Sequence, residues 1–279
     1  MHTPPRSRLA GAVSALALAA TFALGGAGAA AAGERQAAGP SYVALGDSYS
    51  SGTGAGSYDP AGGDCKRSSK SYPALWAAAH SPSKFSFAAC SGARTNDVLN
   101  GQLGPLNSGT GLVSISIGGN DAGFGDTMST CVLNSDQACL DRIATARTFV
   151  KNELPGRLDT VYNAIRAKAP SAKVVVLGYP RFYKTGVLCA GLSDTKRQAI
   201  NGAADLIDSV ISQRAAAHGF AYGNVTTTFA GHELCSGSAW LHSVTFPVDE
   251  SYHPTAAGHA GGYLPVMTSA ASRLAGVRP

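Results

Sequence analysis

Short apolar runs alternate with stretches of helical spacing along most of this 279-residue chain. Tyr42–Leu45, Phe85–Ala89, Leu112–Ile117, Lys173–Gly178 and Phe220–Val225 have the length and side-chain type of strands. The clearest, Lys173-Val174-Val175-Val176-Leu177-Gly178, is continuously apolar, which predicts a sheet covered on both faces. Between the runs, Tyr72–His80 places Tyr72, Leu75, Trp76 and Ala79 at helical spacing, and Pro73 sits near its start, where a missing N–H costs nothing. Thr95–Leu103 reads as a further helix. Leu140–Ala169 is helical, divided at Pro155 and ended by Pro170. Ser193-Asp194 caps a long helix whose buried face includes Ile200, Ala204, Ile207 and Ile211, and Gly219 ends it. Thr255–Leu274 is a last helix, weakened at Gly261-Gly262 and kinked at Pro265. Gly52–Ser71 and the segment holding Cys131 and Cys139 read as loops. Strands alternating with helices predict one three-layer α/β/α domain with a parallel sheet of about five strands.

The first residues stand apart from that pattern. Arg6 and Arg8 precede an alanine-rich apolar stretch, Leu9–Leu24, and small residues follow to Ala32. That is the layout of a secretory signal over 1–32, with 33–39 a short propeptide or flexible lead. The remaining 40–279, roughly 240 residues, suit a single α/β domain. The stretch is too short and too rich in alanine for a membrane span, and no later run is long enough, so a secreted, extracellular protein without a stable membrane span is expected. Charged residues make up only 14%, and the net charge of +5 has no basic cluster behind it, so nucleic acid is not an expected partner. Six cysteines, all after the signal, read as three disulfides in an exported chain. Fifteen pairings are open. Spacing favours neighbours, Cys65–Cys90, Cys131–Cys139 and Cys189–Cys235, each stapling a loop. No Cys-x-x-Cys pair occurs, so no metal site is expected.

Three strands end in polar signatures: Gly46-Asp47-Ser48, Ser91-Gly92 and Gly118-Gly119-Asn120-Asp121. Parallel strands bring such ends to one edge of a sheet, where α/β proteins place their sites. Ser48 is a candidate nucleophile and needs a general base. Among the seven histidines, His253 stands out, just before the last helix in Asp249-Glu250-Ser251-Tyr252-His253-Pro254. His80, His218, His232, His242 and His259 read as surface or packing residues. Acyl transfer also needs donors aimed at the developing oxyanion. Ser48 N–H, Gly92 N–H and the Asn120 amide are the candidates. Asp47 is expected to hydrogen-bond the turn and shape the loop that holds Ser48.

With these blocks in that order, the chain resembles the SGNH, or GDSL-type, hydrolases. Gly46-Asp47-Ser48-Tyr49-Ser50 matches the first block, with Tyr49 where the eponymous Leu usually stands. Gly92, Gly118-Gly119-Asn120-Asp121 and His253-Pro254 match the others. The resemblance runs from Pro40 to about Leu274 and is nearest to the secreted lipases, esterases and phospholipases A of actinomycetes. It implies a flavodoxin-like fold and a metal-free, cofactor-free ester hydrolase, with Ser48 as nucleophile, His253 as base, and Ser48, Gly92 and Asn120 as oxyanion donors. The family usually carries Asp three residues before the base. Here that position is Glu250. Two alternatives stay open: the Glu250 carboxylate orients His253, or the Ser251 carbonyl does and the pair is a dyad. Activity is expected to fall below neutral pH as His253 protonates. The expected substrate is a lipid acyl ester, with an acetylated carbohydrate as the second reading and a non-catalytic secreted binding module as the third. Tyr49, Phe124, Phe182, Tyr183, Phe246 and Tyr252 are candidates to line an acyl groove. A monomer is expected.

Overall fold

Five parallel strands run side by side in the order β2-β1-β3-β4-β5. They are β1 (Ser41–Gly46), β2 (Phe85–Phe87), β3 (Thr110–Ser116), β4 (Lys173–Leu177) and β5 (Ala221–Gly223). The architecture comes from a computed structural model that describes residues 39–276. The expected signal over 1–32, and all of the expected 33–39 lead except Gly39, lie outside the described residues. The central strands β1, β3 and β4 have nearly all their side chains buried on both faces, the serines of β3 included. The edge strands are three residues each, which leaves little unpaired backbone at the sheet margins. Register sets where the strands stop: Tyr42 pairs with Leu112 and Gly46 with Ser116, so β1 and β3 end level.

The helices are α1 (Ser48–Ser51), α2 (Tyr72–His80), α3 (Thr95–Asp97), α4 (Phe124–Leu133), α5 (Asp136–Asn152), α6 (Leu154–Lys168), α7 (Asp194–Ala217) and α8 (Leu264–Gly276). α2 and α8 pack together and against the sheet, while α5, α6 and α7 form the other helical group. Among the described residues no helix is long and apolar enough to cross a membrane. Tyr42, Leu45, Ile115, Ile117, Tyr162 and Leu177 are fully buried. Hydroxyls run through the core as well: Tyr42 Oη lies 2.6 Å from Ser114 Oγ, and Ser50 Oγ lies 2.7 Å from Tyr72 Oη and 2.8 Å from Ser116 Oγ. These hydroxyls partner one another, as burial in a low-dielectric core favours, whereas the buried Tyr162 hydroxyl meets no partner among the described residues.

Three disulfides join Cys65 to Cys90, Cys131 to Cys139 and Cys189 to Cys235. The expected loop around Cys131 and Cys139 is corrected. Cys131 lies on α4 and Cys139 on α5, both fully buried, so this bridge joins two core helices. The polar run Asn134-Ser135-Asp136 misled for a physical reason. Asn134 ends α4, and the Ser135 side chain caps α5 by accepting from Ala138 N–H (3.2 Å). Lys196 on α7 then satisfies the end of α4, donating to the carbonyls of Cys131 (2.9 Å) and Asn134 (2.6 Å). The last helix departs from expectation at its start, where a π turn over Gly258–Tyr263 precedes α8. A Cβ on Gly262 would come within 2.2 Å of the Phe229 ring.

Candidate active site

The floor is built where β1, β3 and β4 end. Gly46 has φ +119°, and a Cβ there would sit 2.3 Å from the Ser116 carbonyl oxygen, so only glycine lets β1 turn this close to β3. The Gln102 amide grips the same residue at both polar atoms: Gly46 N–H donates to Oε1 (2.7 Å) and Nε2 donates to the Gly46 carbonyl (2.8 Å). Asp47 is the N-cap of α1. Its Oδ1 accepts from Tyr49 N–H (3.0 Å) and from the Ser116 hydroxyl (2.7 Å), and its Oδ2 accepts from the Tyr179 hydroxyl. Tyr179 Oη in turn accepts from Gly119 N–H at 3.1 Å. One carboxylate therefore ties together the segments after three strands. Burial pushes Asp47 up to about 6, against the pull of those hydrogen bonds.

Ser48, the first residue of α1, is buried, and its Oγ lies 2.7 Å from Nε2 of His253, 205 positions down the chain. His253 Nδ1 lies 3.0 Å from the Ser251 carbonyl oxygen. A carbonyl can only accept, so the proton sits on Nδ1 and the Nε2 lone pair faces the Ser48 hydroxyl. Burial, the largest cause, lowers His253 to about 4, while the Ser251 carbonyl and Asp249 act in the opposite sense.

Of the two orienting groups left open by the sequence, the imidazole meets the carbonyl. The Glu250 carboxylate is elsewhere: it accepts from the Tyr58 hydroxyl (2.8 Å) and lies 3.6 Å from Lys66 Nζ, which also pairs with Asp249 at 2.6 Å. The backbone explains the choice. Val248–Glu250 is a 3₁₀ turn, and Tyr252 adopts a left-handed φ of +63°, which leaves the Ser251 carbonyl within reach of the ring two residues on. Glu250 has become a brace instead. The Tyr58 hydroxyl that it holds accepts from Gly54 N–H (2.8 Å), and His242 Nε2–H donates to the Gly54 carbonyl (2.8 Å).

Asn120 and Ser48 line one cleft. The Asn120 amide donates to the Ala93 carbonyl (3.0 Å), and Asp121 accepts from Thr95 N–H (3.0 Å) and the Thr95 hydroxyl (2.6 Å). The turn containing Gly92, φ +78°, is thus bound to the Asn120-Asp121 pair. Its other end is held by the Cys65–Cys90 disulfide and by Ser91 N–H to the Cys65 carbonyl (3.1 Å). Among the described residues neither Ser48 N–H nor Gly92 N–H meets an acceptor.

From Ser48 the cleft continues as about 720 Å3 of empty space, part of it open to solvent, between α4, α5 and α7. Met128, Ile143, Ile200 and Ile207 are among its walls. Sequence reasoning missed them because their helical spacing is also that of plain core residues; only the gap between the helices distinguishes the two. The aromatic candidates divide. Tyr49, Phe124 and Phe182 line the cleft, with Phe124 stacked on Phe182 at 5.3 Å and 6.3 Å from the His253 ring. Tyr183 and Tyr252 line a separate depression. Phe246 is corrected: at 92% exposure it lines neither. The remaining histidines pack or brace. His80 stacks on Trp76, His232 on Trp240, His218 meets Asp159 at 2.9 Å, and His259 is fully buried against Tyr72.

Comparison with known proteins gives a consistent neighbourhood. Residues 44–260 match the model of the GDSL-like Lipase/Acylhydrolase family. Lipase 1 of Streptomyces coelicolor is 68% identical over 267 residues, covering 95% of this chain and 99% of its own length. The crystal structure of the extracellular lipase from Streptomyces rimosus superposes with a TM-score of 0.82 at 67% identity, over 83% of this chain and 99% of that one. Phospholipase A1 from Streptomyces albidoflavus superposes with a TM-score of 0.82 at 65% identity, over 84% of this chain and all of that one.

Proposed function

The chain belongs to the GDSL-like lipase/acylhydrolase family, and from that premise we propose that it is a secreted serine hydrolase of lipid acyl esters working through a Ser–His dyad. The observation that carries this reading is the 2.7 Å contact between Ser48 Oγ and His253 Nε2, with Ser48 lining an apolar cleft. His253 takes the Ser48 proton on Nε2 as Ser48 Oγ bonds to the ester carbonyl carbon. The Ser251 carbonyl holds Nδ1–H and steadies the imidazolium. The tetrahedral oxyanion is received by Ser48 N–H, Gly92 N–H and the Asn120 amide. Collapse breaks the bond to the alcohol, which leaves with the proton from His253. Water, deprotonated by His253, then adds to the acyl carbon, and collapse breaks the bond to Ser48 Oγ, which takes the proton back from His253 as the acid leaves. Ser48 and His253 are in contact at 2.7 Å before substrate arrives, which supports this sequence of steps.

A lipid acyl chain suits the cleft, because its walls beyond Ser48 are apolar side chains of α4, α5 and α7. The lipases of S. coelicolor and S. rimosus and the phospholipase A1 of S. albidoflavus support the same substrate class. Export fits the three disulfides, and residues 1–32 are assigned as the signal that directs it. The test is a side-by-side assay on triglyceride, phosphatidylcholine and acetylated sugar, with Ser48→Ala as control. Hydrolysis of the long-chain lipids, lost by about 10⁴-fold or more in Ser48→Ala, is expected. Turnover of acetyl esters alone would replace the lipid reading by a carbohydrate esterase, and a fully active Ser48→Ala would remove the dyad.

A further inference from the structure

The nucleophile is followed by a tyrosine where the family's eponymous block has leucine. Tyr49 is buried. Its N–H donates to Asp47 Oδ1 at 3.0 Å, and its ring stands edge-on to Tyr179 with centroids 5.1 Å apart. Those contacts aim the hydroxyl out of α1 and across to the segment that carries His253, where it donates to the Tyr252 carbonyl at 2.7 Å. The ring centroid lies 5.3 Å from that of His253.

The acceptor is what gives this bond meaning. Tyr252 is a non-glycine residue in the left-handed region, φ +63°, which a side-chain-bearing residue keeps only when its surroundings impose it. The peptides on its two sides each engage the site. The preceding carbonyl, of Ser251, accepts from His253 Nδ1–H, and its own carbonyl accepts from Tyr49. A carboxylate that orients an imidazole brings its charge and its own side-chain rotamer. A backbone carbonyl brings neither, and it points wherever the loop points. Here the loop is referenced to the residue adjoining Ser48. A shift of the His253 segment against α1 would stretch the Tyr49 bond and the Ser48–His253 contact together.

We propose that Tyr49 is a positioning residue: its hydroxyl fixes the backbone of Tyr252, and so aims the Ser251 carbonyl at His253 in place of a triad carboxylate. This rests on the dyad proposed above. The competing role is packing, in which the ring fills space and the hydroxyl is incidental. The two separate on turnover and on the imidazole itself. Tyr49→Phe keeps the ring and removes one O–H. On a monomeric short-chain nitrophenyl ester, with rates normalised to sites titrated by a phosphonate, kcat should fall by about tenfold with KM within about twofold, since a small misalignment at the reacting atoms acts on turnover. The downfield proton resonance of His253 Nδ1–H should shift or broaden. Substitution by 3-fluorotyrosine, which retains the hydroxyl, should keep kcat within about twofold of the parent. A Tyr49→Phe enzyme with kcat within about twofold of the parent, or with an unchanged Nδ1–H signal, overturns the proposal. So does a loss of more than about fivefold in the 3-fluorotyrosine protein, which would put the ring and not the hydroxyl at work. Ser48→Ala, run in parallel, keeps the outcomes apart: if it is inactive while Tyr49→Phe is normal, only the role of Tyr49 falls, and if it is active, the dyad falls first.

Discussion

The floor under Ser48 and the segment that carries His253 are held by different means. The floor consists of strand ends in register, gripped by buried hydrogen bonds from Gln102, Asp47 and Tyr179. The His253 side is a loop, residues 242–254. It closes on itself through His242 N–H to the His253 carbonyl and Tyr252 N–H to the His242 carbonyl, each 3.0 Å. Beyond that it is tethered from outside, by Tyr49, by the Tyr58–Glu250 brace and by the Lys66–Asp249 pair. Its far portion exposes Val244, Phe246 and Val248. Damage to the floor is therefore damage to the core, whereas damage to the tethers displaces the base and leaves the core standing.

The strongest challenge to that contrast is at Asn120, which belongs to the floor and is proposed to reach the reaction. Asn120→Ala should lower kcat by about 10²–10³-fold, read by steady-state kinetics; a change of only a few-fold would leave Ser48 and Gly92 amides as sufficient donors. Next comes Gly54, where the loop touches the floor. It has φ +89°, and a Cβ would meet the Pro254 carbonyl oxygen at 2.9 Å and His253 Cβ at 3.0 Å. Gly54→Ala should push the base away and cost about 10²-fold in kcat, more than its loss of melting temperature would suggest. Glu250→Ala should cost only a few-fold in kcat, because the residue braces Tyr58 and does not touch the imidazole. A loss near 10⁴-fold, the size expected for a triad acid, would restore the carboxylate reading.

The smallest effect is a displacement in pH. Burial lowers His253 to about 4, so the neutral base persists well below the ordinary histidine range. A pH–rate profile should therefore show kcat/KM nearly level from pH 7 to about 5 and falling as the pH passes about 4; a decline just below neutrality would mean that the imidazole keeps its ordinary value. The same depression links to stability. The stabilising contribution is present above the unfolded value of 6.5 and is lost as the pH falls towards about 4. Asp47 has the opposite sign. Raised from 3.8 to about 6, it contributes stability that is present below 3.8 and lost as the pH rises through about 6. A pH series of melting temperatures on the parent and on Asp47→Asn separates the two, since the variant should retain only the acid-side loss.

Much of the frame was legible because it is local. The apolar runs at Tyr42–Leu45, Leu112–Ile117 and Lys173–Gly178 became β1, β3 and β4 within a residue or two at each end, and Ser193 caps α7 through a bond to Lys196 N–H (3.2 Å). Ser48 was nominated from the polar block that ends an apolar run and His253 from its place just before the last helix, and the structure brings them to 2.7 Å. What escaped was whatever depends on a partner far along the chain. Asn134–Asp136 looked like a loop because capping residues and loop residues are the same types. Phe246 looked like a groove aromatic because nearness in sequence to His253 says nothing about which side of a loop faces the cleft.

By itself, then, the sequence determined the alternation of strand and helix, the parallel sheet they imply, and the small set of residues from which a serine hydrolase site could be assembled, since these follow from side-chain period, glycine turns and residue chemistry. Only the tertiary structure decided what holds the base. The choice between Glu250 and the Ser251 carbonyl turns on one left-handed residue, Tyr252, and on a hydroxyl contributed from 203 positions away. No local preference encodes that geometry, because a left-handed tyrosine is unfavourable alone and persists only under the contacts that the completed fold supplies.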